Sequence, residues 1–161
     1  MQRHHQDAFS HFTGTPAQCL YDGEKTVVLR WEAGRPVINP AFEEKVTILY
    51  YYPNMRPDII DSLVDNGYRG IVIAGTGLGH VNKPLYPALK RAHEKGLAVF
   101  MTVQTLWGYV QMYVYDTGRD LLDLGIIPLD NMLPETAYMK LAWVLGQTHD
   151  PARIREMLTT A

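Results

Sequence analysis

The densest chemistry in this sequence lies in six consecutive residues, Gly75-Thr76-Gly77-Leu78-Gly79-His80. A hydroxyl at Thr76 and an imidazole at His80 stand among three alternate glycines. Gly75, Gly77 and Gly79 let the backbone bend sharply and come close to another group. The segment continues the apolar run that starts at Gly70, which places it at the carboxyl end of a strand, where open α/β sheets receive ligands. Two phosphate-binding patterns do not fit. The spacing is G-x-G-x-G instead of G-x-G-x-x-G, and the following strand run ends in Gln104, not in an acidic ribose ligand. A P-loop needs a Lys followed by Ser or Thr, and none follows. The plain alternative is a tight strand-to-helix turn without a ligand.

A second candidate is the loop from Thr102 to Arg119, TVQTLWGYVQMYVYDTGR. Amphipathic aromatics beside amides suit a small polar ligand or an interface between protomers, and equally an aromatic packing loop. Nucleophilic chemistry needs a hydroxyl or thiol beside a base that is itself oriented. Thr76, Thr102 and Thr105 are hydroxyls near strand ends, yet no Lys, His or carboxylate is tied to them by a recognised spacing. The single cysteine, Cys19, falls in an N-terminal arm and reads as inert. His4, His5 and His11 lie in that same arm, while His80, His93 and His149 are scattered. Nothing resembles H-E-x-x-H or a cysteine cluster, so neither a metal centre nor a cofactor is expected. The paired acids Glu43-Glu44 read as solvated surface. The residues alone describe a binding-competent domain with no complete catalytic set of its own.

The elements that must position these residues follow from periodicity. The chain divides near Asn39-Pro40. Residues 1–41 read as a polar arm or connector, with a candidate hairpin in CLYDGEKTVVLRWEAGRPVI turning at Asp22-Gly23-Glu24. From residue 42 to 161 the pattern becomes regular. Val46 to Tyr52 is an unbroken apolar and aromatic run, the mark of a strand buried on both faces. Gly70 to Thr76, Ala98 to Gln104 and the shorter Ile126 to Asp130 supply three more strands. Between them, Ile59, Ile60, Leu63 and Val64 share one helical face, and so do Leu85, Leu89 and Ala92, with Asn82 as N-cap and Gly96 as stop. DTGRDLLDLG supplies a short helix. Two helices close the chain: one carries Ala137, Leu141, Val144 and Leu145, the other Ile154, Met157 and Leu158 behind an Asp150 N-cap. Strands alternating with helices at this spacing predict an α/β fold with a parallel sheet covered on both faces.

The bulk numbers exclude more than they assign. A formal net charge of -2 gives no electrostatic footprint for nucleic acid or an anionic membrane. No apolar run approaches the roughly 18 residues that span a bilayer, and MQRHHQDAF lacks the apolar core of a secretory signal. One cysteine rules out an internal disulfide framework and makes the cytoplasm the default expectation.

At these same residues the sequence resembles a known family. DNGYRGIVIAGTGLGH, MTVQTLWG, VYDTGR and MLPETAYMKLAWVLG look like the C-terminal domain of type I (bacterial-type) L-asparaginase-like amidohydrolases. Within that family the likeness is to the branch that serves as the D component of archaeal glutamyl-tRNA(Gln) amidotransferases. The resemblance runs from about Phe42 to the end, and the arm is similar to the connector between the family's two domains. It implies a three-layer sandwich around a short flavodoxin-like parallel sheet. It also implies a larger protein, in which a separate N-terminal domain carries the nucleophilic Thr in T-G-G-T-I and T-D-T motifs. Those motifs do not occur here, so no catalytic residue is expected in this chain, as a fragment or as a short chain.

The family further implies a homodimer made through the α/β domain, with each copy completing its neighbour's pocket for a small amide amino acid. The amidotransferase's E component and tRNA stand as further partners through the larger complex. The resemblance points to His80, with Thr76 beside it on the glycine-rich loop, and to a second contact near Tyr113. Simple asparaginases place an acid at that second position, and none stands here. Tyr109, Gln111 and Tyr113 occupy places where the amidotransferase branch carries Arg, Asn and Asn. A free-standing α/β binding or interaction module is the alternative reading. A nucleotide-binding flavodoxin-like protein is a third, resting on Gly75 to Gly79 and on fold analogy alone.

Overall fold

The computed structural model describes residues 28–160. The chain forms two units that divide between Asn39 and Pro40. In the first, β1 (Val28–Glu32) and β2 (Arg35–Ile38) pair antiparallel. The turn is Ala33-Gly34, with φ of 49° and 77°. Two-residue hairpin turns that follow the strand twist require positive φ at both positions, which Gly34 accepts freely. The Asp22-Gly23-Glu24 turn expected from the sequence lies outside the described residues. The hairpin that is described pairs the Val28 run with Arg35–Ile38 instead.

The second unit carries β3 (Val46–Tyr50), α1 (Asp58–Asp65), β4 (Gly70–Gly75), α2 (Tyr86–Glu94), β5 (Ala98–Val103), α3 (Asp116–Asp123), β6 (Ile127–Pro128), α4 (Pro134–Gln147) and α5 (Pro151–Thr159). The four strands of its sheet lie in the order β3-β4-β5-β6, all parallel. Side chains alternate across a strand, and that alternation builds two cores. Ile71, Ile73, Val99 and Met101 join Ile60, Leu89 and Leu121 from α1, α2 and α3. Val72 and Phe100 join Leu141 and Val144 from α4 with Ile154 and Leu158 from α5. The crossover helices thus cover one face and the two C-terminal helices the other. Burial on both faces is why β4 reads as an unbroken apolar run.

Three expectations need correction. Val46 to Tyr52 is not buried on both faces. β3 is the edge strand and half-exposed, with Tyr50 and Tyr52 in solvent. An aromatic run does not by itself distinguish edge from centre, and tyrosine keeps its hydroxyl wet. The Tyr50 hydroxyl donates to Glu135 at 2.5 Å.

Asn82 sits at the N-cap position of a 3₁₀ turn, Lys83–Leu85, but its side chain makes no cap bond. A cap oxygen accepts from the second or third amide beyond it. Here the second residue is Pro84, which has no N–H, and the third, Leu85, donates to the Asn82 carbonyl at 3.1 Å.

Glu43 is not plain solvated surface: it pairs with Arg69 at 2.8 Å, both side chains largely covered. Burial pushes its carboxyl up, but the Lys45 amide and the Arg69 guanidinium outweigh that and hold it below the usual carboxylate range.

The Asp150 cap is present, and its side chain accepts from the Ala152 amide at 3.2 Å. Asp150→Ala is expected to cost about 1 kcal/mol, read as a lower urea midpoint at unchanged m-value. Asp150→Asn should stay near the parent. An unchanged midpoint for the alanine variant would mean that α5 is held by Ile154 and Leu158 alone.

Candidate functional site

β4 delivers Gly75 to the carboxyl edge of the sheet, and there the chain makes a tight knuckle. Thr76 and His80 exchange two backbone hydrogen bonds, each 3.0 Å, and Gly79 N–H adds a third to the Thr76 carbonyl. Gly77 and Gly79 have φ of 55° and 92°, conformations that residues with a β-carbon rarely adopt. Gly75 answers a different need: a β-carbon there would lie 2.9 Å from the His80 amide nitrogen and 2.9 Å from the Met101 sulfur. The Thr76 hydroxyl closes the knuckle by donating to the His80 carbonyl at 3.3 Å.

The knuckle presents the His80 imidazole. Its Nδ1 lies 3.4 Å from Thr117 Oγ1 at the start of α3. The Tyr115 ring meets it edge to face, with centroids 5.6 Å apart. Its Nε2 is buried and, among the described residues, has no hydrogen-bond partner. Burial pushes the His80 pKa below the ordinary 6.5, because the imidazolium loses more hydration than the neutral ring. The sign for stability follows from linkage. Between the depressed folded pKa and 6.5 the unfolded chain binds more protons, so stability rises with pH through that window and levels off above it. His80→Asn should flatten that part of the stability–pH curve. A curve that keeps its slope in the variant would assign it to another group.

The loop after β5 is tied down at several points. Gln104 donates its side-chain amide to the carbonyls of Tyr51 (2.6 Å) and Ala74 (3.0 Å), bracing three strand ends. The Thr102 hydroxyl is buried and donates to the Ile73 carbonyl at 3.2 Å. Val110 N–H donates to Asp130 O at 2.8 Å, and Gln111 N–H to Leu78 O at 2.9 Å, which stitches this loop to the glycine knuckle. Val110 and Met112 turn inward, whereas Leu106, Trp107, Tyr109 and Tyr113 stand in solvent, Trp107 at 96% exposure. Leu106, Trp107 and Tyr109, with Asp130 and Leu133, line a cleft of about 580 Å³.

Of the residues singled out in the sequence, Thr76 and His80 come together in one knuckle. Tyr113 does not join them as the ring against His80; that ring is Tyr115. Tyr113 is 67% exposed and lines a cleft with Arg119 and Arg155. Thr117 is the residue that sequence reasoning missed. It lies 37 positions from its contact, and only a hydroxyl opening a helix marked it. Thr117 beside His80 is a hydroxyl–imidazole pair, but a nucleophile needs a base oriented by a third group, and among the described residues Nε2 has none. Among the described residues no three His, Cys, Asp or Glu side chains converge on a metal site, and no helix is long and apolar enough to cross a membrane.

Comparison with known proteins gives this geometry its context. Residues 45–158 match the family model of the glutaminase/asparaginase C-terminal domain. The chain is similar to the D component of the glutamyl-tRNA(Gln) amidotransferase of Thermococcus kodakarensis, 45% identical over 165 residues, covering 99% of this chain and 38% of that protein. It is 56% identical over 116 residues to the corresponding amidotransferase component of Methanothermobacter thermautotrophicus, covering 72% of this chain and 27% of the relative. Among solved structures, the thermostable L-asparaginase from Thermococcus kodakarensis superposes with a TM-score of 0.69 at 31% identity, over 82% of this chain and 40% of that one. The chain therefore spans well under half the length of these relatives.

Proposed function

Because the chain belongs to the glutaminase/asparaginase C-terminal domain family, we propose that it is the pocket-completing half of an ammonia-releasing amidohydrolase. It is of the kind that serves as the D component of a glutamyl-tRNA(Gln) amidotransferase, and it acts in the cytoplasm. In this reading the α/β unit dimerises and brings the Gly75–His80 knuckle over the active site of a neighbouring catalytic domain. The Thr nucleophile sits on that other domain, and an amide amino acid is the substrate. The amidotransferase's E component and tRNA meet the assembly through the whole complex.

The observation that carries this reading is His80. It stands on the hydrogen-bonded glycine knuckle at the carboxyl edge of the sheet, where open α/β sheets receive ligands, with Nδ1 3.4 Å from Thr117 Oγ1. Tyr113, exposed and away from the His80 ring, is the weaker of the two contacts that the family suggests.

Reconstitution tests the proposal. The chain is mixed with a family catalytic domain whose own C-terminal half has been removed, and ammonia release from asparagine and glutamine is followed. Activity that appears only in the mixture supports the assignment, and its absence from the mixture overturns it.

A second reading, a free-standing interaction module, has the solvent-exposed Leu106-Trp107-Tyr109 rim in its favour. Exposed apolar patches of this kind mark interaction surfaces. Recovery of a protein without Thr motifs as the stoichiometric partner would favour it.

A further inference from the structure

His80 has two ring nitrogens, and a neutral imidazole carries its proton on one of them; the hydrogen bond made by the other decides which. Nδ1 faces the Thr117 hydroxyl at 3.4 Å. Nε2 is enclosed and has no hydrogen-bond partner among the described residues. Desolvation keeps the ring below its ordinary pKa, so at neutral pH the question is the tautomer and not the charge.

Thr117 is itself unusually well placed. Its carbonyl accepts from the Tyr86 hydroxyl at 3.0 Å. The next residue, Gly118, packs so tightly on the Met112 carbonyl that a β-carbon there would overlap it. The amides of Gly118 and Arg119 both donate to the Tyr115 carbonyl, at 3.0 and 3.2 Å. The first turn of α3 is therefore fixed from three sides, and the Thr117 side chain is aimed at His80 with little freedom. Tyr115, the residue before that turn, packs its ring against the imidazole and hinders a flip that would exchange the two nitrogens.

We propose that Thr117 is a positioning residue. Its hydroxyl donates to His80 Nδ1 and holds the imidazole as the Nε2–H tautomer. Without the Thr117 hydroxyl the ring is free to carry its proton on Nδ1. Nε2 would then present a lone pair in place of a donor. At 3.4 Å the bond is long, so its effect is a shifted ratio of tautomers and not a large loss of stability.

The full chain, uniformly labelled with ¹⁵N, is observed by long-range ¹H–¹⁵N correlation well above the imidazole titration range. His80 is picked out from the six histidines by its absence in His80→Asn. The wild-type ring is expected to show a bare Nδ1 and a protonated Nε2. Thr117→Val keeps the shape and loses the donor, and should shift the tautomer ratio about two- to fivefold toward Nδ1–H, the worth of a long hydrogen bond. Thr117→Ser should restore it.

A wild-type ring protonated on Nδ1 overturns the proposal whether or not any variant folds. So does an unchanged ratio in Thr117→Val. The readout involves no catalytic domain, so a failed reconstitution and a wrong tautomer are separate results.

Discussion

Replacing Phe100 by alanine is expected to destabilise the α/β unit by about 3–5 kcal/mol, the cost of emptying a large aromatic site in a packed core. Phe100 is fully buried in the middle of β5, and β5 is flanked by strands on both sides. In the ladders it registers with Val72 on β4 and Ile127 on β6. It shares one buried cluster with Leu141 and Val144 of α4 and with Ile154 and Leu158 of α5. The sheet and the layer of C-terminal helices therefore lose contacts together. A cleft of about 390 Å³ already reaches Phe100, Leu145 and Ile154 from the surface, so truncation enlarges an existing void where relaxation is poorly supported.

Against a typical total of about 5–15 kcal/mol, this is enough to leave the unit marginal. Urea unfolding should show a much lower midpoint with little change in slope. Phe100→Leu, which refills most of the volume, should recover more than half of the loss. Trp107→Ala is the contrast. It removes an even larger ring, but one that is 96% exposed, and should change stability by no more than about 0.5 kcal/mol. Equal losses in the two variants would contradict the placement of β5 at the centre.

That contrast between Phe100 and Trp107 marks where the sequence is informative. Helices α2, α4 and α5 are legible because their apolar residues recur at helical spacing: Leu85, Leu89 and Ala92 are all buried, as are Ala137, Leu141, Val144 and Leu145. Gly70 to Thr76 reads correctly as a central strand because burial on both faces leaves no polar alternation. The same reasoning fails at Val46 to Tyr52. An edge strand rich in tyrosine has the same apolar run, and its missing neighbour is a property of the whole sheet. The large side chains of 106–115 split into buried Val110 and Met112 and exposed Trp107 and Tyr113. What decides the split is stitching to Leu78 and Asp130, which are distant in sequence.

The candidate site divides in the same way. The glycine knuckle is local chemistry: spacing alone announces that the backbone turns back on itself between Thr76 and His80. The partner of His80 is not local. Thr117 and Tyr115 reach it because β4 and β5 are parallel neighbours that both end at this edge, with α3 beginning just beyond. No spacing rule within one segment could pair them.

The largest effect expected is in turnover. The chain alone should release no ammonia from asparagine or glutamine above the buffer blank, and the reason lies in its hydroxyls. Among the described residues, the Thr76 hydroxyl is engaged with the His80 carbonyl and the Thr102 hydroxyl is buried on the Ile73 carbonyl. Thr117 faces an imidazole, but no third group orients that base. Enzymes accelerate such reactions by roughly 10⁶-fold or more, and that acceleration depends on nucleophile, base and oxyanion donors acting as a unit. Without such a unit the substrate stays as slow as it is in water.

In reconstitution with a catalytic domain the chain should supply position. His80→Ala should then lower the restored kcat/KM by about 10²-fold, the penalty for losing alignment next to the reacting centre, while the unfolding midpoint at neutral pH stays close to the parent. A loss confined to stability would make His80 a packing residue. The decisive contrary result is ammonia release by the chain alone that disappears in Thr117→Val. That outcome would turn the Thr117–His80 contact from a positioning device into a nucleophile with its base, and would place the chemistry on this domain after all.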